Sequence, residues 1–323
     1  MVKKQIVSPQ RHEPRLSAVA ATAPPQLWFA FSSVFHYLGP SFAVLLFPSI
    51  GVLGVAWLRI ASAAIVFAPW TKPWRTFTRA DARTRWLLVA LGVCLALMNV
   101  SFYQALARLP MSLVATMEFV GTICVALAGM RTMRNVAAAC LAIAGVAVMT
   151  NLQWASDPVG LFWSVLNSVF FVAYIVLGHA IAGSGASRGV ERLGAAMAIA
   201  FVVIMPIGIG QAAAVFSAPI LIAAGIAVGV CSSVIPYVCD QLAMSRLSRR
   251  SFALLLAMLP STATLIGLIV LRQVPTWHDL VGLGLVTAGI LLHRAVERPD
   301  TPPVSSPTPP PGSTRHSRFW RTR

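Results

Sequence analysis

Acidic side chains are scarce in this sequence, which has nine Asp and Glu in 323 residues against 25 Lys and Arg. Charged residues of both signs reach only 11%, less than half the roughly 25% usual in soluble domains, while 57% of the chain is hydrophobic. That balance excludes a soluble globular domain and places the chain in the membrane class. Cysteine is thin as well: Cys94, Cys124, Cys140, Cys231 and Cys239 all fall inside apolar runs, where a thiol behaves as a small hydrophobe. They show no metal-type spacing, so neither a disulfide nor a metal site is expected. There is no Gly-rich phosphate loop and no nucleophile elbow, and the few titratable residues form no catalytic constellation. An enzyme is therefore not expected, nor is a cofactor. The net charge of +16 would suggest nucleic acid in a soluble protein. Here the basic residues sit between apolar runs, so they read as topology signals and nucleic acid is set aside as a partner.

What the chain has in abundance is long apolar runs. They recur at about 27–47, 50–70, 86–106, 111–130, 135–152, 159–177, 193–211, 218–238, 252–271 and 277–295. A run of about 20 residues at 1.5 Å rise covers roughly 30 Å, the hydrocarbon thickness of a bilayer, so the pattern predicts an all-α protein with ten transmembrane helices. With a cytoplasmic N-terminus, 22 of the 25 basic residues fall in inner segments, only Arg108 and Arg272 in outer loops, and Arg59 within the membrane. The positive-inside rule then puts both termini in the cytoplasm. Trp28, Trp70, Trp86, Trp154 and Trp277 fall at run ends, as an interfacial belt requires.

The two halves echo each other. Ala105-Leu106-Ala107-Arg108-Leu109 returns as Ala243-Met244-Ser245-Arg246-Leu247, each followed by an apolar span, and Met117-Glu118 corresponds to Met258-Leu259. Five spans per repeat is odd, so the second repeat lies inverted relative to the first, with a substrate site expected near the midplane between them. The predicted organisation is a disordered cytoplasmic tail at 1–26, five-helix repeats at 27–152 and 153–296, and a disordered, basic, Pro-rich cytoplasmic tail at 297–323 facing anionic lipid.

Particular residues resemble a known family. Leu46-Phe47-Pro48 leading to Leu58-Arg59, Lys72-Pro73-Trp74-Arg75, Met98-Asn99 with Phe102-Tyr103, Met117-Glu118-Phe119, and Pro236-Tyr237 followed by Arg246-Leu247 resemble the drug/metabolite transporter superfamily with paired EamA-type repeats. Within it, the likeness is to the threonine/homoserine exporter group, and it spans about 27–295. The resemblance implies a secondary-active, ion- or proton-coupled exporter of small metabolites in the bacterial inner membrane, working by alternating access, with amino acids favoured as substrates. The substrate and the lipid bilayer are then its partners, with a homodimer left open. Exporters of drugs or other metabolites, and a non-transporting membrane scaffold, are the alternatives. Two departures stand out: Met258-Leu259-Pro260 replaces a usual Met-Glu-Pro, and Arg272-Gln273 replaces a usual Gly-Glu.

Glu118 is the single charge in 111–130 and lies eight residues past Pro110, while Arg59 lies eight past Gly51. Each is thus roughly 12 Å inside the membrane at helical rise, at one shared depth. A mid-membrane carboxylate costs on the order of 2.5–3.5 kcal/mol and needs a partner, a wet cavity or a proton. Two readings stay open: a buried Arg59–Glu118 pair locking the second and fourth spans together, or a cavity in which Arg59 takes the carboxylate and Glu118 the ammonium of a zwitterion. Asn99, Tyr103 and Tyr237, with Asn167 and Tyr174, are polar groups inside spans that either line a cavity or bond between helices, the first three being expected at the substrate. Glu118, His36 and Asp240 are the proton-coupling candidates.

Overall fold

In the computed structural model, residues 24–128, 133–182, 186–244 and 258–292 are described, and they are almost wholly helical. The two expected tails lie outside these residues, save for their innermost positions in the first, as does the start of the run at 252–271. Runs rich in Ala, Leu, Val and Ile have no water to satisfy their backbone in a bilayer, so they close every N–H and C=O within a helix.

The first run forms α1 (Pro25–Leu45), followed by one short turn, α2 (Phe47–Ile50). Gly51 breaks the chain at φ 80°, a left-handed conformation open to glycine without a Cβ clash. There α3 (Val52–Thr71) begins, and Lys72 at φ 46° turns it into the short α4 (Pro73–Arg79). Then come α5 (Ala82–Leu106), α6 (Met111–Ala128), α7 (Met133–Ser156), α8 (Pro158–Ala182) and α9 (Ala186–Ala212). A 3-10 turn at Ala213–Ser217 leads to α10 (Pro219–Gly229). A π-turn at Val230–Val234 joins this directly to α11 (Ile235–Met244). The last helices are α12 (Met258–Leu271) and α13 (Trp277–Leu292). Each of the ten apolar runs is therefore helical over its described part. Five stretches are long and apolar enough by themselves to cross a membrane: Val52–Thr71, Ala82–Leu106, Pro158–Gly178, Arg188–Ala212 and Pro219–Asp240. Val136–Met149 and Leu259–Leu271 are shorter apolar helices.

Helix starts follow the sequence closely. Proline opens α1, α4, α8 and α10, where its missing N–H leaves no bond unmade. At α13, Thr276 and Asp279 cap each other: the Asp279 carboxylate accepts from the Thr276 N–H at 2.8 Å, and the Thr276 hydroxyl accepts from the Asp279 N–H at 3.3 Å.

The packing pairs α3 with α9, α7 with α13, and α6 with α12; α5 packs on α8 and α9, and α1 and α3 pack on the α10–α11 rod. Further contacts join α6 to α8 and α12 to α1. Small residues set the closeness of these crossings, since lipid tails give helices no hydrophobic reason to associate. A Cβ built on Gly145 of α7 would lie 2.6 Å from the Gly282 carbonyl oxygen of α13. The sequence pair Gly225 and Gly229 does the same for α10 against α3, where a Cβ on Gly229 would meet the Arg59 carbonyl oxygen at 2.8 Å.

Candidate functional site

Arg59 is 3% exposed and Glu118 4%, and both line one small internal cavity. Its other walls are His36, Met98, Asn99, Phe102, Asn167, Phe171, Tyr174 and Tyr237. The cavity comes from six helices: α1 supplies His36, α3 Arg59, α5 Asn99 with Met98 and Phe102, α6 Glu118, α8 Asn167 with two aromatic rings, and α11 Tyr237, which closes it. The two residues, each eight positions past its helix-start signal at Gly51 or Pro110, meet at this one cavity.

The Arg59–Glu118 ion pair weighed from the sequence is not what holds either group. Among the described residues the one side-chain ion pair within 4 Å is Arg108–Asp157, at 3.6 Å. The reason is azimuthal: α3 and α6 share none of the principal packing interfaces, α3 lying on α9 and α10 and α6 on α8 and α12. Arg59 turns instead to the π-turn, where its Nε donates to Ser233 Oγ at 2.9 Å and its Nη2 to the Ser232 carbonyl oxygen at 2.8 Å. A π-turn shifts its hydrogen-bond ladder by one residue and bares carbonyl groups, which a guanidinium fork can take. The rings of Tyr103 and Phe102 lie 5.5 Å and 5.8 Å from its Cζ, in cation–π range, and the Tyr103 hydroxyl accepts from Nη1 at 3.5 Å. Glu118 Oε1 accepts from Asn167 Nδ2 at 2.7 Å, and the neighbouring Ser168 hydroxyl donates to the Met117 carbonyl oxygen at 2.7 Å.

The remaining site residues fall around this centre. Asn99 and Tyr237 line the cavity itself, whereas Tyr103 stands behind Arg59 as its support. The side-chain amide oxygen of Asn167, Oδ1, is buried and accepts no hydrogen bond among the described residues, so an acceptor beside Glu118 is left for a donor. Tyr174 and Tyr237 pack at 5.6 Å between ring centroids, and His36 stands edge-on to Tyr37 at 5.2 Å. Asp240 is not in the cavity. It lies one turn past Tyr237 and accepts from the Ser32 hydroxyl at 2.5 Å, linking α11 to α1. Sequence reasoning missed Ser32, Ser232 and Ser233. The run Cys231-Ser232-Ser233 inside an apolar span was the available signal.

The cavity has a volume of about 10 Å³, room for about one water. A cation and a carboxylate face it without being joined, between aromatic walls, and the enclosing helices are apolar outside. This is a multi-pass membrane protein with a buried polar centre.

No protein-family profile matches the sequence. The chain is 31% identical over 253 residues to the threonine/homoserine exporter RhtA of Escherichia coli (strain K12), covering 77% of this chain and 84% of that protein. It is 30% identical over 265 residues to the protein of the same name from Salmonella typhimurium (strain SL1344), covering 81% and 88%. A crystal structure superposes with a TM-score of 0.55 at 18% identity over 83% of this chain and 95% of its own, a likeness of fold. The chain belongs to the family of these exporters, within the EamA-type drug/metabolite transporters.

Proposed function

We propose that this chain is a secondary exporter of small zwitterionic amino acids of the threonine and homoserine kind, seated in a bacterial inner membrane. The observation that carries the reading is the shared cavity of Arg59 and Glu118. Arg59 keeps its fork oriented by the π-turn and presents positive charge to a substrate carboxylate, while Glu118 and the side-chain Oδ1 of Asn167 take the ammonium. Asn99 and Tyr237 complete the polar lining, and Tyr103 steadies the guanidinium. The names of the relatives give the substrate class.

The architecture proposed with it is ten spans in two inverted five-helix repeats, 27–152 and 153–296, with both termini cytoplasmic. Exchanging each run of the first half with its counterpart in the second carries the largest packing interfaces onto one another. The pairs α3–α9, α7–α13 and α6–α12 map onto themselves, α5–α8 maps onto the α10–α11 rod with α1, and α6–α8 maps onto α12–α1. That symmetry supports the repeat, and the charge split of 22 inside to two outside supports the orientation. Room for about one water cannot hold an amino acid, so transport on this reading opens the cavity to one side and then the other by rocking the repeats. Glu118, His36 and Asp240 are the proton-carrying candidates.

The test is efflux from proteoliposomes loaded with labelled threonine, homoserine, other amino acids or lipophilic cations, with and without an imposed pH gradient. Threonine or homoserine efflux, accelerated by the gradient, is expected. Efflux of lipophilic cations without amino-acid efflux overturns the reading.

A further inference from the structure

On the face assigned to the cytoplasm, α4 lies against α9, and the two enclose a cleft of about 770 Å³ together with the turn that joins α3 to α4. Five basic side chains line it: Lys72, Arg75 and Arg79 from the α4 side, Arg188 and Arg192 from α9. Charge counting along the sequence explains which side of the membrane they occupy, but not that they converge on one concavity. Two acids share the cleft, Asp81 and Glu191, and neither forms an ion pair within 4 Å with any of the five. Asp81 is engaged by Thr84, whose hydrogen bond holds its carboxyl below the usual carboxylate range. Arg192 donates to the Ile181 carbonyl oxygen at 2.8 Å. Lys72, Arg75, Arg79 and Arg188 make no side-chain hydrogen bond or ion pair among the described residues, which leaves four cations around one space.

Three indoles mark the depth of this space. Trp70, which also lines the cleft, is 57% exposed, Trp74 58% and Trp86 74%. Exposed tryptophans near the inner ends of α3 and α5 belong at the headgroup level of a bilayer. On α4, Pro73 is buried and Phe77 packs on the core, while Trp74, Arg75 and Arg79 face outward. The short helix thus lies in the interface with its basic side chains over the cleft and its indole toward lipid. Clustered arginine and lysine at the cytoplasmic surface of a membrane attract anionic headgroups.

We propose that this cleft binds the headgroup phosphate of an anionic phospholipid of the inner leaflet. Arg75, Arg79 and Arg188 hold the phosphate oxygens, and the acyl chains run past Trp70 and Trp74. A soluble phosphate would satisfy the cations equally but has no use for the indoles, and this decides for lipid.

The experiment is native mass spectrometry of delipidated full-length protein in neutral detergent, titrated with phosphatidylglycerol or phosphatidylcholine. Phosphatidylglycerol is expected to be retained at least about tenfold better. The double variant Arg75→Gln/Arg79→Gln is expected to weaken that lipid by roughly thirtyfold, and Arg188→Gln, from the facing wall, by roughly fivefold. The variant Arg108→Gln/Arg272→Gln removes the same charge at the opposite end and is expected to keep the preference. Arg188→Gln alone decides if the α4 double variant fails to fold. Equal retention of the two lipids, or a preference that survives Arg188→Gln undiminished, overturns the proposal. Displacement of phosphatidylglycerol by millimolar inorganic phosphate also overturns it, by assigning the cleft to a soluble anion.

Discussion

Glu118→Gln separates the two roles that a buried carboxylate can have. Glu118 is 4% exposed, and its Oε1 accepts from Asn167 Nδ2 at 2.7 Å. A glutamine at this position retains an acceptor for Asn167 but changes a charge-assisted bond into a neutral one, a loss of about 1–1.5 kcal/mol. Against that stands relief from holding a carboxylate deep in the membrane, on the order of 2.5–3.5 kcal/mol. Arg59 is not orphaned by the change, because its Nε and Nη2 bonds to Ser233 and Ser232 remain. The net is about 1–2.5 kcal/mol in favour of the variant, a rise of a few degrees in melting temperature. On the proposed function, threonine efflux per correctly inserted molecule is expected to fall at least about tenfold, since a substrate ammonium would lose its charged partner. Both quantities are read on one preparation, melting by thermal denaturation in detergent and efflux from proteoliposomes. A melting temperature lowered by several degrees would show that the charge of Glu118 holds helices together. Efflux at the wild-type rate would remove Glu118 from substrate binding and coupling alike.

Three further outcomes follow from particular contacts. Arg59→Gln breaks two charge-assisted bonds to the π-turn and is expected to lower stability by about 2–4 kcal/mol. In a thermal-denaturation double-mutant cycle with Glu118→Gln a modest coupling of about 0.5–1 kcal/mol is expected from two charges that share a cavity without touching, whereas full rescue of the arginine variant by the second change would point to a structural ion pair. Gly145→Ala places a methyl group against the Gly282 carbonyl oxygen and is expected to cost about 1–3 kcal/mol. Gly284→Ala on the same partner helix, with nothing within 4 Å, is expected to leave melting unchanged or slightly raised; equal effects of the two would mean that the α7–α13 contact is loose. Reporter fusions after Arg79 and Arg188 are expected to read cytoplasm, and fusions near Asp157 and Pro275 the outside; a cytoplasmic signal at Asp157 removes the ten-span topology.

The lengths and positions of the helices were legible because hydropathy and helical rise act along a single axis. Equal spacing from Gly51 and from Pro110 is the signal that paired Arg59 with Glu118, and the two do line one cavity. What spacing does not carry is the direction in which each side chain leaves its helix. That depends on which helices are neighbours, and α3 and α6 are not principal neighbours. The π-turn was hidden for a related reason. Val230–Val234 is apolar enough to continue a helix, and the shifted ladder is stabilised by a guanidinium from α3, more than 170 residues away in sequence. The helix at Ala186–Ala212 also begins seven residues before its apolar run, because Arg188, Glu191 and Arg192 prolong it into the interface, where polarity no longer marks its end.

The two positions where the family resemblance led to an expectation of carboxylates in the second half show what their loss changes. Leu259 is 7% exposed, packed in the helix that joins α1 and α6. Gln273 puts its Oε1 3.1 Å from the Met111 N–H, at the start of α6, and its own N–H on the Gly267 carbonyl oxygen at 3.1 Å. A helix's first N–H groups need an acceptor, and an amide oxygen supplies one without carrying charge. Gln273 thus ties the end of α12 to the start of α6 with a group that carries no titratable proton. Among the described helices the acids within apolar runs or at their inner edge are then Glu118 in the cavity, Asp240 beside Ser32, and Asp279, which is engaged with Thr276 in capping the start of α13. On the proposed function, carboxylate-borne coupling is then divided between a first-half residue that meets the substrate and a second-half residue that ties α11 to α1. On that proposal a proton on Glu118 would compete directly with the substrate ammonium, whereas a proton on Asp240 would act on the link between α11 and α1, two helices of opposite repeats.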